Sequence, residues 1–279
     1  MTAVSSPVIF LITGSSRGLG KAIATAAGKH NAQARFLLAA RSATGMKETK
    51  AELLSSTRKS EDIISRSMDL SNLDQLDSNA DVLFQDLEKL RSIDQQEQKP
   101  QHFVFVNNAA NLGHLGPSWK SPSLLDMRQT IDFNVTSSLW LSVRFARYIQ
   151  KLQREPKQSQ TKATIVNISS LAAVSQEFSG MGIYSAGKAA REMYHSLVAK
   201  DEGNPDALKV LNYAPGPLET TMTEDIKQSS GLHETELQSS FRQTTMLDPQ
   251  ESAQKLIRLL EKDDFESGSH VDYFDLPDN

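Results

Sequence analysis

The sequence predicts an α/β fold: one doubly wound domain whose parallel sheet is covered on both faces by helices. Three observations predict it. Short β-rich apolar runs alternate with longer amphipathic stretches along the chain, the pattern of strand–helix–strand crossovers. The first apolar run is followed at once by a glycine-rich turn, Thr13 to Gly20, that opens into helix-forming sequence. No internal repeat and no linker divides the 279 residues, which are therefore read as a single unit.

Val8–Thr13 reads as a buried strand, apolar and β-branched. Gly18–His30 is the first helix, Arg35–Ala40 the second strand, Thr44–Arg58 a helix rich in helix formers, and Ile63–Met68 the third strand. Ser71 is expected to N-cap the next helix, with Asp74 as its capping-box partner and an end near Leu90. The polar stretch Ser92–Gln101 reads as a surface loop before the fourth strand, Phe103–Val106. A long helix, Asp126–Leu152, and a second polar stretch, Arg154–Lys162, lead to the fifth strand, Ala163–Ile168. Ile183–Asp201 reads as a helix and Leu208–Tyr213 as the sixth strand, after which Pro215 and Pro217 interrupt regular structure. Residues 224–247 are polar with weak helical signals and read as a flap, the main part of a lid over about 217–247. Asp248 and Pro249 supply an N-cap and a first-turn proline for a helix with Ala253, Leu256, Ile257 and Leu260 at helical spacing. His270–Phe274 is the last strand.

Composition narrows the function classes. Hydrophobic residues make up 38% and charged residues 23%, ordinary for a globular protein able to bury a core without covalent staples. There is no cysteine, so neither a disulfide framework nor a thiolate metal site can form. His30, His102, His114, His195, His233 and His270 lack metal-ligand spacing and read as surface or packing residues, so no metal is expected. A net charge of −4 with both signs interspersed gives no reason to expect nucleic acid or an acidic membrane as partner. No apolar run reaches the roughly 18 residues of a bilayer span, and Val8–Ile12 is too short and wrongly flanked for a signal peptide. The expectation is a cytoplasmic protein that acts on a small molecule.

The turn Gly14-Ser15-Ser16-Arg17-Gly18-Leu19-Gly20 lies between the first strand and the first helix. Glycines there let the backbone turn tightly and approach a pyrophosphate, and the helix N-terminus offers free N–H groups to the anion. An ordinary glycine-rich turn is the alternative; the position after the first strand favours a dinucleotide. NAD sites place an acid at the end of the second strand. Here Ala39-Ala40-Arg41-Ser42 stands there, and Arg41 can pair with a 2′-phosphate, with Ser42 adding a hydroxyl and Arg17 within reach. The cofactor expected is NADPH/NADP+, unless Arg41 is only a solvated loop residue.

Tyr184 and Lys188 fall one turn apart on one helical face. A phenol with a pKa of about 10 is a poor acid–base at neutral pH, and a fixed positive charge beside it lowers that value. Tyr184 could then give its proton to a carbonyl oxygen, and Ser170, at a strand end, could bond the same oxygen. Taken alone, the Tyr-x-x-x-Lys spacing is common and reads first as a surface pair.

The order and spacing of the motifs change that. Thr13–Gly20, Asp69-Leu70, Asn107-Asn108-Ala109-Ala110, Asn134, Ser169-Ser170, Tyr184–Lys188 and Pro215-Gly216 together resemble the classical short-chain dehydrogenase/reductase family along nearly the whole chain. The resemblance implies a seven-stranded Rossmann sheet and a catalytic tetrad of Asn134, Ser170, Tyr184 and Lys188. Asn134 is implied to hold a water that relays protons to Lys188, and Lys188 also to bind the nicotinamide ribose. Asp69 and Leu70 are implied to contact adenine, Asn107 to line the cofactor cleft, and Gly216 to lie against the substrate. Leu218, Glu219, Thr220, Thr221, Met222 and Thr223 are implied to cover the nicotinamide end and the phosphates. Ala110 stands where the family more often has glycine, a modest change. The helices around Leu139 and after Tyr184 form a homodimer interface in the family, so a homodimer is implied.

Three stretches, Asn167–Ala173, Leu211–Leu218 and Ser267–Asp272, resemble the branch of the family that reduces side-chain ketones of pterins with NADPH in tetrahydrobiopterin synthesis. The aspartate matching Asp272 anchors the pterin ring there; a carboxylate accepts two hydrogen bonds from the amino and ring N–H groups. The alternative for Asp272 is a surface acid on a terminal strand. One departure is the spacing from Ser170 to Tyr184, one residue longer than that branch leads one to expect, which leaves reductases of other vicinal diketones, similar to benzil reductases, as the runner-up. A nucleotide-sensing protein without catalysis is the rival from another class, and the complete tetrad argues against it.

Overall fold

A computed structural model describes residues 8–55, 59–93, 101–156, 158–204, 206–232 and 235–278. Seven strands form one parallel sheet: β1 (Val8–Thr13), β2 (Arg35–Ala40), β3 (Ile63–Ser67), β4 (His102–Asn107), β5 (Lys162–Ile168), β6 (Leu208–Ala214) and β7 (His270–Asp272). Their spatial order is β3-β2-β1-β4-β5-β6-β7, with Leu11 of β1 opposite Leu37 of β2 on one side and Phe105 of β4 on the other. Strand order reverses at the β1–β4 boundary, and in such sheets the crevice beyond the carboxyl ends of those strands is where ligands bind.

The period of two in each strand divides the core. Ile9 and Leu11 face Leu83 and Leu87 of α3 (Leu76–Ser92) and Phe145 and Ile149 of α5 (Ser137–Gln153). Phe10 and Ile12 face Ile23 and Ala27 of α1 (Gly18–His30) and Leu256 and Leu260 of α9 (Pro249–Lys262). With both faces covered, nearly every residue of β1, β2 and β4 is buried, which is why these strands read as continuous apolar runs. Each large side chain so buried contributes roughly 1.5–3 kcal/mol before entropy is counted.

Three local expectations are corrected, and the elements of the flap are added. Ser71 caps no helix: its N–H and hydroxyl both donate to the Asp69 carboxylate, at 2.9 and 2.7 Å. This Asx-type turn displaces the capping box, a 3-10 turn follows at Leu73–Gln75, and α3 begins at Leu76 with no side-chain cap. The stretch Asp126–Leu152 is not one α-helix. It is α4 (Leu124–Ile131), a π-helical segment (Asp132–Thr136) and α5; one wide turn leaves the apolar spacing almost unchanged, so periodicity cannot reveal it. The described residues of the flap hold α7 (Thr221–Gln228), a 3-10 turn (Ser230–Leu232) and α8 (Glu236–Gln243), with Ile226, Leu232 and Leu237 packed among Leu112, Ala172, Met181 and Tyr184. The last strand stops at Asp272, whose carboxylate accepts from the Phe274 N–H at 2.9 Å and starts a 3-10 turn.

Asp248 caps α9 as expected, accepting from the Gln250 N–H at 2.8 Å. The second helix, α2 (Ala43–Leu54), ends before the predicted Arg58, which lies outside the described residues, as do His233 and most of the predicted loop 92–101. Among the described residues no helix is long and apolar enough to cross a membrane.

Candidate active site

A cleft of about 2210 Å³ opens beyond the carboxyl ends of the strands. Small-molecule pockets usually fall near 300–1,000 Å³, so this one has room for a dinucleotide and a second molecule. At its β1 end the backbone makes the shape. Gly14 has φ +68°, and a Cβ on Gly20 would sit 2.3 Å from the Gly14 carbonyl oxygen; only glycine allows α1 to pack this closely on the turn. The Thr13 hydroxyl accepts from the N–H groups of Asn108 (3.0 Å) and Ala109 (3.1 Å), and the Asn108 carboxamide donates to Thr13 O (2.9 Å) and Gly14 O (3.3 Å). The turn is thus stitched to the end of β4.

These residues suit a dinucleotide. Helix α1 has no side-chain cap and no acid in its first turn, so its N-terminal N–H groups and positive dipole end remain available to an anion. Gly14, Ser16, Arg17, Gly18 and Leu19 line the cleft, and Arg41, Ser42 and Leu70 line it further along. Ser42 accepts from Gly45 N–H at 3.1 Å as the cap of α2, which leaves its own proton free to donate. The Asp69 carboxylate is drawn below the usual range by its bonds to Ser71 and by the Arg41 charge, against desolvation. Glu48 also lines this end.

Helix α6 (Gly182–Glu202) carries Tyr184 and Lys188, both buried and both lining the cleft with Ser170 at the end of β5. The Lys188 ammonium donates to Ile168 O at 2.6 Å and lies 5.6 Å from the Tyr184 ring centre. Burial pushes the Tyr184 phenol above its ordinary value, and a hydrogen bond from Ser170 and then the Arg191 charge draw it back. Burial, with Arg191 adding to it, pushes Lys188 well down, while Glu192 opposes. The sequence leads one to expect Lys188 as the charge acting on the phenol; the structure supplies a second cation, Arg191.

The predicted site residues divide into two groups. Gly14, Ser16, Arg17, Gly18, Leu19, Arg41, Ser42, Leu70, Ser170, Tyr184, Lys188, Gly216, Leu218, Thr220, Thr221, Met222, Thr223 and Asp272 all line the one cleft. Ser15, Gly20, Asp69, Asn107, Asn134 and Glu219 are not on its wall. Ser15 is buried against Ala39 O, and Glu219 is exposed, with its N–H donating to Leu247 O. Asn107, expected to line the cleft, lies beneath it: its carboxamide donates to the Ser138 carbonyl and hydroxyl and to the Ser142 hydroxyl at 2.8–3.1 Å. Its successors Asn108, Ala109 and Ala110 form the wall instead. Asn134 sits in the π-helical turn with its carboxamide paired to both backbone groups of Asn111, at 2.9 and 2.8 Å. Through these two bonds it clamps the loop after β4.

Two polar residues around the site, Arg191 and Glu192, were not singled out from sequence, and a third, His270, was read only as a surface or packing residue. Arg191 is fully buried, and its guanidinium donates to Asn167 Oδ1 (2.9 Å), Ala109 O (3.1 Å) and Asn107 O. Burial lowers its pKa to about 10. Glu192 accepts from the Ser169 hydroxyl and from His270, and His270 lines the cleft, unlike the packing or surface role expected for it. Their signal was spacing: Arg191 and Glu192 lie three and four residues past Lys188 on the same helical side, and His270 shares a strand face with Asp272.

A short chain dehydrogenase family model matches residues 8–231. The chain belongs to the short-chain dehydrogenase/reductase family and is an oxidoreductase. Sepiapterin reductase of Rattus norvegicus is 34% identical over 272 residues, covering 96% of this chain and 97% of that one. Benzil reductase ((S)-benzoin forming) of Bacillus cereus is 26% identical over 269 residues, covering 94% and 97%. The crystal structure of a short-chain type dehydrogenase/reductase from Mycobacterium marinum shares the fold, with a TM-score of 0.73 at 21% identity over 96% of this chain and 94% of that one.

Proposed function

We propose that the protein is an NADPH-dependent carbonyl reductase that reduces ketones in the C6 side chain of pterins, as sepiapterin reductases do. The observation that carries this is the convergence of Ser170, Tyr184 and Lys188 with Asp272 on one cleft that also includes the glycine turn and Arg41. The dinucleotide, when bound, supplies the hydride. Tyr184 gives the phenolic proton to the carbonyl oxygen, and the Ser170 hydroxyl bonds the same oxygen as charge develops on it. Lys188 holds the ribose and returns a proton to the phenol side. Asn134 keeps the loop from Asn108 to Asn111 in place through its two bonds to Asn111. Arg41 takes the 2′-phosphate with Ser42 and Arg17, which selects NADPH over NADH.

Asp272 holds the far edge of the substrate by accepting from its amino and ring N–H groups. The lid, residues 217–247, covers the cleft through α7 and α8, and its opening governs product release. The chain acts as one Rossmann domain in the cytoplasm, and a homodimer forms through α5 and α6, where Met193 and Leu197 are exposed large apolar residues.

NADPH oxidation measured with sepiapterin beside diacetyl and benzil tests the substrate, and Asp272→Ala tests the anchor. Selective loss of sepiapterin turnover in that variant supports pterin anchoring. Equal turnover of all three ketones by the unmodified enzyme, with no selective loss in Asp272→Ala, favours the vicinal-diketone reading.

A further inference from the structure

Strand β7 carries the proposed anchor and is weakly built. It has three residues, lies at the sheet edge and pairs with β6 alone, with His270 opposite Asn212 and Asp272 opposite Ala214. Ser170, by contrast, leaves a seven-residue strand paired on both sides. A substrate held at both ends needs these two places at a fixed offset, and a three-residue edge strand cannot set that by backbone bonds alone.

One carboxylate bridges them. Glu192 lies two turns past Tyr184 on α6, with only 13% of its side chain exposed. One of its oxygens accepts from the hydroxyl of Ser169, the buried neighbour of Ser170. The other accepts from His270 Nδ1 at 2.6 Å. Among the described residues His270 Nε2 has no hydrogen-bond partner, and the ring lines the cleft on the strand face it shares with Asp272. A carboxylate this enclosed is costly unless its oxygens are satisfied, and here each oxygen is satisfied by a different strand end.

We propose that Glu192 and His270 are a positioning pair that, through Ser169, fixes Asp272 relative to the Ser170 and Tyr184 hydroxyls, and so selects ketones carried on a ring with a donor edge over small diketones. The inference rests on the reading of Asp272 as the substrate anchor. The pair does not touch the reacting atoms; it sets the distance between the groups that do.

The pair also responds to pH. The bond to Glu192 raises His270 above its ordinary value, burial opposes, and the charges of Glu192, Asp272 and Asp275 add to the rise. The charged groups facing the imidazole are therefore Glu192 on α6, Asp272 on β7 and Asp275 in the turn after it; on α6, Arg191 stands beside Glu192, and Lys188 is pushed down by burial and Arg191 with Glu192 opposing. A raised value means the ionic form is complete below the usual histidine range and is lost as pH rises through the raised value.

Steady-state kinetics of Glu192→Gln and His270→Asn with sepiapterin and with diacetyl, across pH, test this. The ratio of kcat/KM for sepiapterin to that for diacetyl falls about tenfold in each variant, mainly through KM, the size of one charged hydrogen bond. The alkaline rise in KM for sepiapterin moves to lower pH in Glu192→Gln and disappears in His270→Asn. Equal losses on both substrates, or an unchanged ratio, overturn the pair as a selector. Were the unmodified enzyme to show no preference for sepiapterin over diacetyl, the functional reading itself would fall and take the pair with it. A retained preference in the variants sinks the pair alone.

Discussion

At the dinucleotide end of the cleft the backbone makes the site: Gly14 at positive φ, Gly20 with no room for a Cβ, and the bare N-terminus of α1. At the substrate end the site is made by side chains bonded to side chains and carbonyls across strands, with Arg191 on three oxygens and Glu192 on two donors. The contrast teaches where each end is fragile. A backbone-built site accepts changes at its rim but no added atom at its centre. A site built from buried polar groups accepts small changes of volume but not the loss of one partner.

The largest effect should come from breaking the substrate end where it meets the chemistry. Lys188→Met should lower turnover about a thousandfold, within the general acid–base range, in a stopped-flow assay of NADPH oxidation. A loss below tenfold would mean that Arg191, the neighbouring cation, suffices. At the opposite end, Gly20→Ala places a methyl 2.3 Å from Gly14 O. It should weaken NADPH binding about a hundredfold, the upper range for overpacking, measured by calorimetry; unchanged affinity would refute the backbone-built description.

At the rim, the contrast sharpens into a smaller change. Arg41→Ala should cut the preference for NADPH over NADH about tenfold, one charged hydrogen bond's worth, while leaving NADH affinity nearly constant. The smallest effect lies outside the cleft. Asp86, on the buried side of α3, bonds Arg66 at 2.9 Å and Lys89 at 2.8 Å. These bonds and charges hold its carboxyl below the ordinary range despite desolvation. A depressed carboxyl stabilises the fold above the unfolded value of about 3.9, and that contribution is lost as pH falls through the folded value. Asp86→Asn should cost about 1 kcal/mol at neutral pH and flatten the stability–pH curve below about pH 4, read by thermal melts.

The same contrast explains what was legible. The buried parallel strands announce themselves as apolar runs, and the glycine turn as a spacing after the first of them, because backbone requirements leave sequence marks. Tyr184, Lys188, Ser170 and Asp272 were legible as motifs, and the structure places all four on one cleft. The π-helical turn at Asp132–Thr136 leaves no mark, since one wide turn does not disturb apolar spacing. Ser71 misled because its hydroxyl prefers the nearer Asp69. Asn107 and Asn108 are indistinguishable in sequence, but strand alternation sends one under the sheet to Ser138 and the other to the wall. Glu192, Arg191 and His270 read as ordinary polar residues; only the packing of α6 against β5 and β6, with the Glu192–His270 bond across to β7, makes them part of the site.

The most direct test is hydride transfer in Tyr184→Phe, with NADPH affinity measured on the same sample. A phenol that serves as the proton donor predicts undisturbed NADPH binding and a turnover of sepiapterin at least ~100-fold lower. Turnover within a few-fold of the unmodified enzyme, at equal NADPH occupancy, would contradict it.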